Sequence, residues 1–405
     1  MMKGIDKVKT QKITFGAALA VLFVVCAELY RRMAVCYKGI FGIYYSDIST
    51  RMDQMGGDGQ EYSLFLMPET FFVKHFGLQV GAVFLGIYLS VFTVATVLVI
   101  FQFLKRLCPD ADFGLLAGSS FACMFAIPIF MYPLTDYIYS CYVGAIWHSE
   151  TYLGMRLFAL LVLMFFLRTN EHYLEKFSIR DFILESLLFL AVNWIKPNFI
   201  IAFGPAMLVM MIVDIIKAKG KGFINWMLYG IPVLIGSAIL PVQYLLLFPS
   251  SGSGEDAGII LIFGEFFESQ RIPIIYFLFA FAFPIFVFVL HRKEFIKSRF
   301  HLVITLGWVF AFLEYFFLAE SGRRRGHENF CWGLRLFSFI IFCLSVAYFM
   351  KDVIMYRAEN KQKDKEKKKS FISPFTIEVI LLVAHLLSGA LYFGGVLLGV
   401  CGYAF

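Results

Sequence analysis

The run Leu78-Gln-Val-Gly-Ala-Val-Phe-Leu-Gly-Ile-Tyr-Leu-Ser-Val-Phe-Thr-Val-Ala-Thr-Val-Leu-Val-Ile-Phe-Gln-Phe-Leu-Lys-Arg106 carries no charge until its last two residues. A helix needs roughly 20 mostly apolar residues to cross the hydrocarbon of a bilayer, and this stretch exceeds that length. The Lys105-Arg106 pair that closes it is the cationic stop expected at a cytoplasmic boundary. Outward from this run the pattern recurs. Apolar segments near 13–31, 78–103, 114–134, 152–168, 182–195, 198–216, 225–248, 273–290, 301–318, 332–350 and 375–398 give about eleven candidate spans. The fifth is short and stops at Lys196-Pro197, which a helix cannot cross undisturbed. With 60% hydrophobic and 16% charged residues, 49 Phe and a mean hydropathy of +0.76, the chain is no ordinary soluble globular protein. The expectation is an all-α, polytopic integral membrane protein, one membrane domain over residues 1–405.

Basic residues fix a topology. With the N-terminus inside, alternate loops collect Lys3, Lys7, Lys9 and Lys12, then Lys105 and Arg106, then Arg168, Lys176 and Arg180. They continue with Lys217, Lys219 and Lys221, with Arg292, Lys293, Lys297 and Arg299, and with the run from Lys351 to Lys369. That asymmetry is the positive-inside rule, and it predicts a multi-pass protein of the cell membrane. The net charge of +7 comes largely from the basic loop 351–374, a juxtamembrane anchor for anionic lipid rather than a nucleic-acid surface. The first apolar segment is long for a signal peptide and ends in Tyr30-Arg31-Arg32, so it reads as an uncleaved span. The eight cysteines show no paired spacing; Cys36, Cys141 and Cys331 fall outside the spans, where one disulfide is allowed but not assigned. Oligomeric state is not legible.

The opposite loops collect the chemistry. The long first outer loop, 32–77, holds the acidic run Ser46-Asp-Ile-Ser-Thr-Arg-Met-Asp53-Gln-Met-Gly-Gly-Asp58-Gly-Gln-Glu61. Ser46 or Asp47 is suited to cap a short helix, and Gly56, Gly57 and Gly59 to break it. Such helices belong at the membrane interface. A second loop offers Trp147-His148-Ser-Glu150 and, entering the next span, Arg156, which is positioned to meet phosphate or carboxylate. The third feature is Asn193-Trp-Ile-Lys196-Pro-Asn198, a lone lysine at a helix break between amides. The fourth is Arg323-Arg324-Arg325-Gly-His327, whose arginines oppose the positive-inside rule and call for an anion, with Glu314 as a structural partner for one of them. The stretch Pro249 to Ile272 is Ser/Gly-rich and then amphipathic, as a lid would be.

There is no P-loop, no nucleophile-elbow serine and no His-Glu-x-x-His pair. Carboxylates facing scattered cations suit group transfer from a lipid-linked phosphate: a carboxylate deprotonates an acceptor hydroxyl, and cations neutralise the departing phosphate. The chain resembles the GT-C class of glycosyltransferases. The likeness lies in its N-in topology, the long acidic first outer loop with interfacial helices and the Lys196-Pro197 break near mid-chain. The pieces Trp147-His-Ser-Glu-Thr-Tyr-Leu-Gly-Met-Arg156, Lys196-Pro-Asn198 and Gly326-His-Glu-Asn-Phe-Cys-Trp-Gly333 also resemble segments of uncharacterised bacterial multi-span proteins of that general appearance.

The resemblance implies a transferase that uses a polyprenyl-phosphate-linked sugar on the non-cytoplasmic face. A first-loop carboxylate serves as base: Asp47, Asp53 or Asp58, with Asp47 first. The loop lacks the adjacent Asp-Asp or Asp-Glu pair common in that class. Lys196, Arg156 and Arg324 would hold the donor phosphate, with His148, Glu150, Asn198 and His327 around the substrate. Trp147 and Tyr139 would stack on a sugar, and a divalent cation shared by Asp47 and Glu150 is compatible but not required. The alternatives are a transporter or flippase, and a polymerase or ligase, for lipid-linked envelope glycans. Transport calls for charges deep in the spans, and the sequence offers few: Glu185, Glu314 and Arg335.

Overall fold

A computed structural model describes residues 2–38, 46–54, 63–129, 146–247, 258–261, 275–321, 329–362 and 373–399. Helices dominate them. In chain order they are α1 (Met2–Ala34), α2 (Asp47–Gln54), α3 (Met67–Phe76), α4 (Leu78–Leu107), α5 (Phe113–Phe125), α6 (Glu150–Thr169), α7 (Ile179–Ile195), α8 (Asn198–Lys217), α9 (Phe223–Ser237) and α10 (Ile239–Leu247). After a short strand β1 (Ile259–Leu261) come α11 (Ile275–Ala280), α12 (Ala282–Lys297), α13 (Arg299–Phe317), strand β2 (Leu318–Glu320), α14 (Cys331–Gln362) and α15 (Pro374–Leu398).

Among the described residues, eight helical segments are long and apolar enough to cross a membrane: those of α1, α4, α6, α8, α9–α10, α13, α14 and α15. The remaining three expected spans are shorter helices, and the sequence says why. α5 stops three residues before Pro128, α7 stops at Lys196-Pro197, and the segment near 273–290 is divided between α11 and α12 at Phe281. β1 pairs antiparallel with β2, Ile260 opposite Ala319. Part of the Ser/Gly-rich stretch expected as a lid is therefore pinned to the end of α13.

Two helices form the centre. In α14, 89% of the most apolar window is buried, and in α6 78%, against 22% in α1 and in α9–α10. A helix walled in by protein on every side is apolar all round, so hydropathy alone cannot separate it from a lipid-facing one. Between helices in lipid, close packing and hydrogen bonds supply the attraction. α1 and α4 show both: a Cβ at Gly86 would strike the Ala27 carbonyl oxygen, and the Tyr30 hydroxyl lies 3.1 Å from Thr93 Oγ1.

The loop between α1 and α4 folds where its polar residues direct. Ser46 caps α2 reciprocally: Ser49 N–H donates to Ser46 Oγ (3.4 Å), and Ser46 N–H donates to Ser49 Oγ (2.8 Å). α3 turns at Gly77 (φ 83°) into α4 and stacks Phe72 on Phe84, centroids 4.0 Å apart. Ser63 donates to the Ile195 carbonyl (3.0 Å), and Tyr88 donates to the Phe65 carbonyl (3.1 Å). The loop is thereby tied to the α7–α8 junction and to α4.

Candidate functional site

One end of the two central helices gathers the candidate residues. Pro197 interrupts the helix, so Lys196 ends α7 in extended conformation (φ −160°, ψ 123°) and its side chain enters the bundle. Only 7% exposed, it donates to Thr151 Oγ1 (3.3 Å), with its ammonium 3.8 Å from the centre of the Trp332 ring. Arg335, one turn along α14 from Trp332, stacks on the same indole at 4.5 Å. Glu150 opens α6, buried, with Arg51 of α2 at 3.5 Å. Asp47 and Lys196 are its further electrostatic neighbours. Asp47 also faces His148 and Lys196. Asp47, His148, Glu150 and Lys196 thus share one cluster with Arg51, Trp332 and Arg335.

Burial sets the charge state of the two bases lying outside the helices. It pushes Lys196 down to about 7, with Asp47 opposing the shift. It pushes His148 down to about 4, Asp47 again opposing. His148 is therefore a neutral hydrogen-bonding group at pH 7, not a phosphate-binding cation. Lys196 is positive below about pH 7 and loses its charge as pH rises through that value. Affinity for a phosphate anion should accordingly be greatest below pH 7 and fall by up to about tenfold per unit above it. In a Lys196→Arg variant this dependence flattens, because guanidinium stays charged; titration calorimetry with a prenyl phosphate across pH 6–9 reads the difference.

Arg156 lies six residues along α6 from Glu150, about 9 Å deeper at the helical rise. It is fully buried, and among the described residues none of its Nε, Nη1 and Nη2 atoms has a hydrogen-bond partner. Its surroundings are the faces of Phe339 (5.2 Å), Tyr152 (5.8 Å) and Trp147 (6.0 Å). Cation–π contacts offset part of its desolvation, but its donors remain unanswered, which is unusual for a buried guanidinium.

Other expected residues do different work. Asn198 donates to Glu314 Oε1 (2.9 Å) and to the Asn329 carbonyl (3.0 Å), while Asn329 donates to Glu320 Oε2 (2.6 Å). This polar chain clamps α8, α13 and α14 beside the site. The amide of Asn198 is thus spent on structure, and Glu314 accepts from it; Arg323, Arg324 and Arg325, one of which was expected to partner Glu314, lie outside the described residues. Gly333 permits the approach, since a Cβ there would lie 2.7 Å from Glu314 Oε2 and 3.3 Å from the Asn198 carbonyl. A Gly333→Val substitution should lower stability by about 1–3 kcal/mol through overpacking, measurable as a lower thermal midpoint in detergent.

Trp147 is 1% exposed and packs on Phe125 (5.3 Å) and Phe393 (4.6 Å); it has no open face for a sugar. Arg51 and Lys196 flank Glu150. No disulfide joins Cys36 to Cys331. The side chain of Asp53, and Asp58, Tyr139, Cys141, Arg324 and His327 altogether, lie outside the described residues.

Sequence reasoning passed over three members. Arg51 stands four residues after Asp47, on the same face of α2. Trp332 and Arg335 are spaced i, i+3 on α14, a signal that was legible; their partner Lys196, from a distant segment, was not. No protein-family model matches the chain, and no curated protein is significantly similar to it.

Proposed function

We propose that the protein is a membrane glycosyltransferase that moves a sugar from a polyprenyl-phosphate donor to an acceptor hydroxyl, working at the non-cytoplasmic face of a cell membrane. In this reading the N-terminus is inside and the chain has eleven spans, with α5, α7 and α11–α12 completing the eight long ones. The supporting observation is the pairing of a half-buried carboxylate, Asp47, with a buried lysine and neighbouring arginines at one end of the bundle. This is an arrangement that removes a proton on one side of a reacting centre and receives negative charge on the other.

Asp47 takes the acceptor's proton as the acceptor oxygen forms its bond to the anomeric carbon. The bond from that carbon to the phosphate oxygen breaks, and its electron pair leaves with the prenyl phosphate. Lys196, with Trp332 beneath its ammonium, neutralises the charge that develops there, and Arg335 and the deeper Arg156 add positive charge on the same side. His148, neutral, is suited to orient a hydroxyl. Asp53, Asp58, Arg324 and His327 belong to the same proposed outer face, with Asp53 and Asp58 as alternative bases.

Transport receives less support. Glu185 neighbours Asp181 and Tyr229, whereas Glu314 is bonded to Asn198. Glu185 and Lys196 are separated by about 16 Å along α7, so the deep carboxylates belong to two separate polar groups. A polymerase or ligase would use the same donor chemistry with a longer acceptor. Reconstituted protein offered a panel of radiolabelled prenyl-phosphate sugars and hydroxyl acceptors tests the reading. Transfer is expected with at least one pair, released prenyl phosphate matching product; facilitated movement of the donor across the vesicle wall without bond cleavage would instead establish the flippase.

A further inference from the structure

The far end of the bundle holds a second cluster that the proposed transfer chemistry does not use. Trp332 and Asp352 are both on α14, about 30 Å apart at the helical rise. There Asp352 meets His291 of α12 and Glu378 of α15, each side chain arriving from a different helix. The axis of α12 breaks at His291 (φ −101°, ψ 16°), and His291 Nε2 lies 2.7 Å from Asp352 Oδ2. Glu378 is 1% exposed, with an Oε1 atom that has no hydrogen-bond partner. All three line a cleft of about 330 Å³ together with Tyr356 and Glu359.

We propose that His291, Asp352 and Glu378 form a binding site for a divalent transition metal of the Zn2+ class. One donor atom from each of the three lies within 4.8 Å of the others. A cation at the centre of such a triangle is at most about 2.8 Å from each corner, so side-chain movements under 1 Å reach the 2.0–2.2 Å of zinc–nitrogen and zinc–oxygen bonds. Among the described residues neither carboxylate is paired with Lys or Arg; the nearby Lys351 engages Glu294 instead (3.7 Å). Two carboxylates thus face a single imidazole, which even when protonated balances only one of them and leaves a negative charge for a dication to answer. The imidazole donor favours Zn2+ over Mg2+ or Ca2+, which prefer oxygen alone. Three protein ligands leave a coordination position for water or a small anion from the cleft. The ion would staple α12, α14 and α15 at this end, independently of any sugar transfer at the other.

The test uses the full chain, purified in detergent, stripped with chelator and titrated with ZnCl2. One Zn2+ per chain is expected, retained through gel filtration, with a raised thermal midpoint and no displacement by excess MgCl2. Asp352→Asn and Glu378→Gln should each weaken binding at least about tenfold, while Asp112→Asn, a carboxylate on another loop, should leave it unchanged. Should the variants misfold, Co2+ in the parent protein still decides. Visible d–d bands without thiolate charge-transfer absorption support the site; thiolate bands, which would place the ion on cysteines, overturn it. Absence of stoichiometric Zn2+ in the parent, or undiminished affinity in folded variants, overturns it equally.

Discussion

Replacing Asp47 with Asn should reduce sugar transfer by about 10²–10⁴-fold, the usual contribution of a positioned general base. The substitution keeps shape and removes only basicity. Asp47 opens α2 beside the cap of Ser46 and Ser49, and an asparagine is equally at home at a helix N-terminus. Folding and gel-filtration profile should therefore remain close to the parent's, with the main loss in kcat. Asp53→Asn and Asp58→Asn serve as comparisons, since all three belong to one acidic run. If Asp47→Asn turns over normally while one of the others does not, the base is reassigned. If all three are active, a first-loop carboxylate is not the base.

The Arg156→Met variant should move stability and activity in opposite directions. A buried guanidinium with no hydrogen-bond partner is destabilising in the resting protein, whereas Met fills similar volume against Trp147, Tyr152 and Phe339 without the desolvation cost. Exchanging buried charge for well-packed apolar groups stabilises some proteins by about 1–4 kcal/mol, so the thermal midpoint should rise by several degrees. Turnover should fall by about 10²-fold or more, as expected for loss of a preorganised cation opposite developing negative charge. A stabilised and fully active Arg156→Met protein would remove this residue from the mechanism. A destabilised one would mean that the guanidinium is needed for the fold itself.

The membrane architecture was readable because it rests on one dominant constraint: backbone polar groups in hydrocarbon must be satisfied within a helix. That constraint writes long apolar runs such as 78–103 and 375–398, which are found as the helices Leu78–Leu107 and Pro374–Leu398. It says less about segments interrupted by Pro128, Pro197 or Phe281, where the helices come out short. It is silent about which apolar helix is central, because lipid and protein neighbours select the same residues. Site residues were legible where they broke a rule locally. Lys196 stood out beside a helix-breaking proline, and Arg156 as a charge within an apolar run. What escaped depends on contacts between distant segments: Trp332 beneath Lys196, Asn198 occupied by Glu314, and Trp147 enclosed by Phe125 and Phe393.

The apolar stretches of α6 and α14 are largely buried among the other helices. Arg156 and Arg335 therefore experience a polarity set by neighbouring aromatic rings and not by acyl chains. In a bilayer that is too thick or too thin, hydrophobic mismatch is absorbed by tilting of peripheral segments such as α1 and α9–α10. The cationic centre would keep its electrostatic surroundings while its host changes thickness.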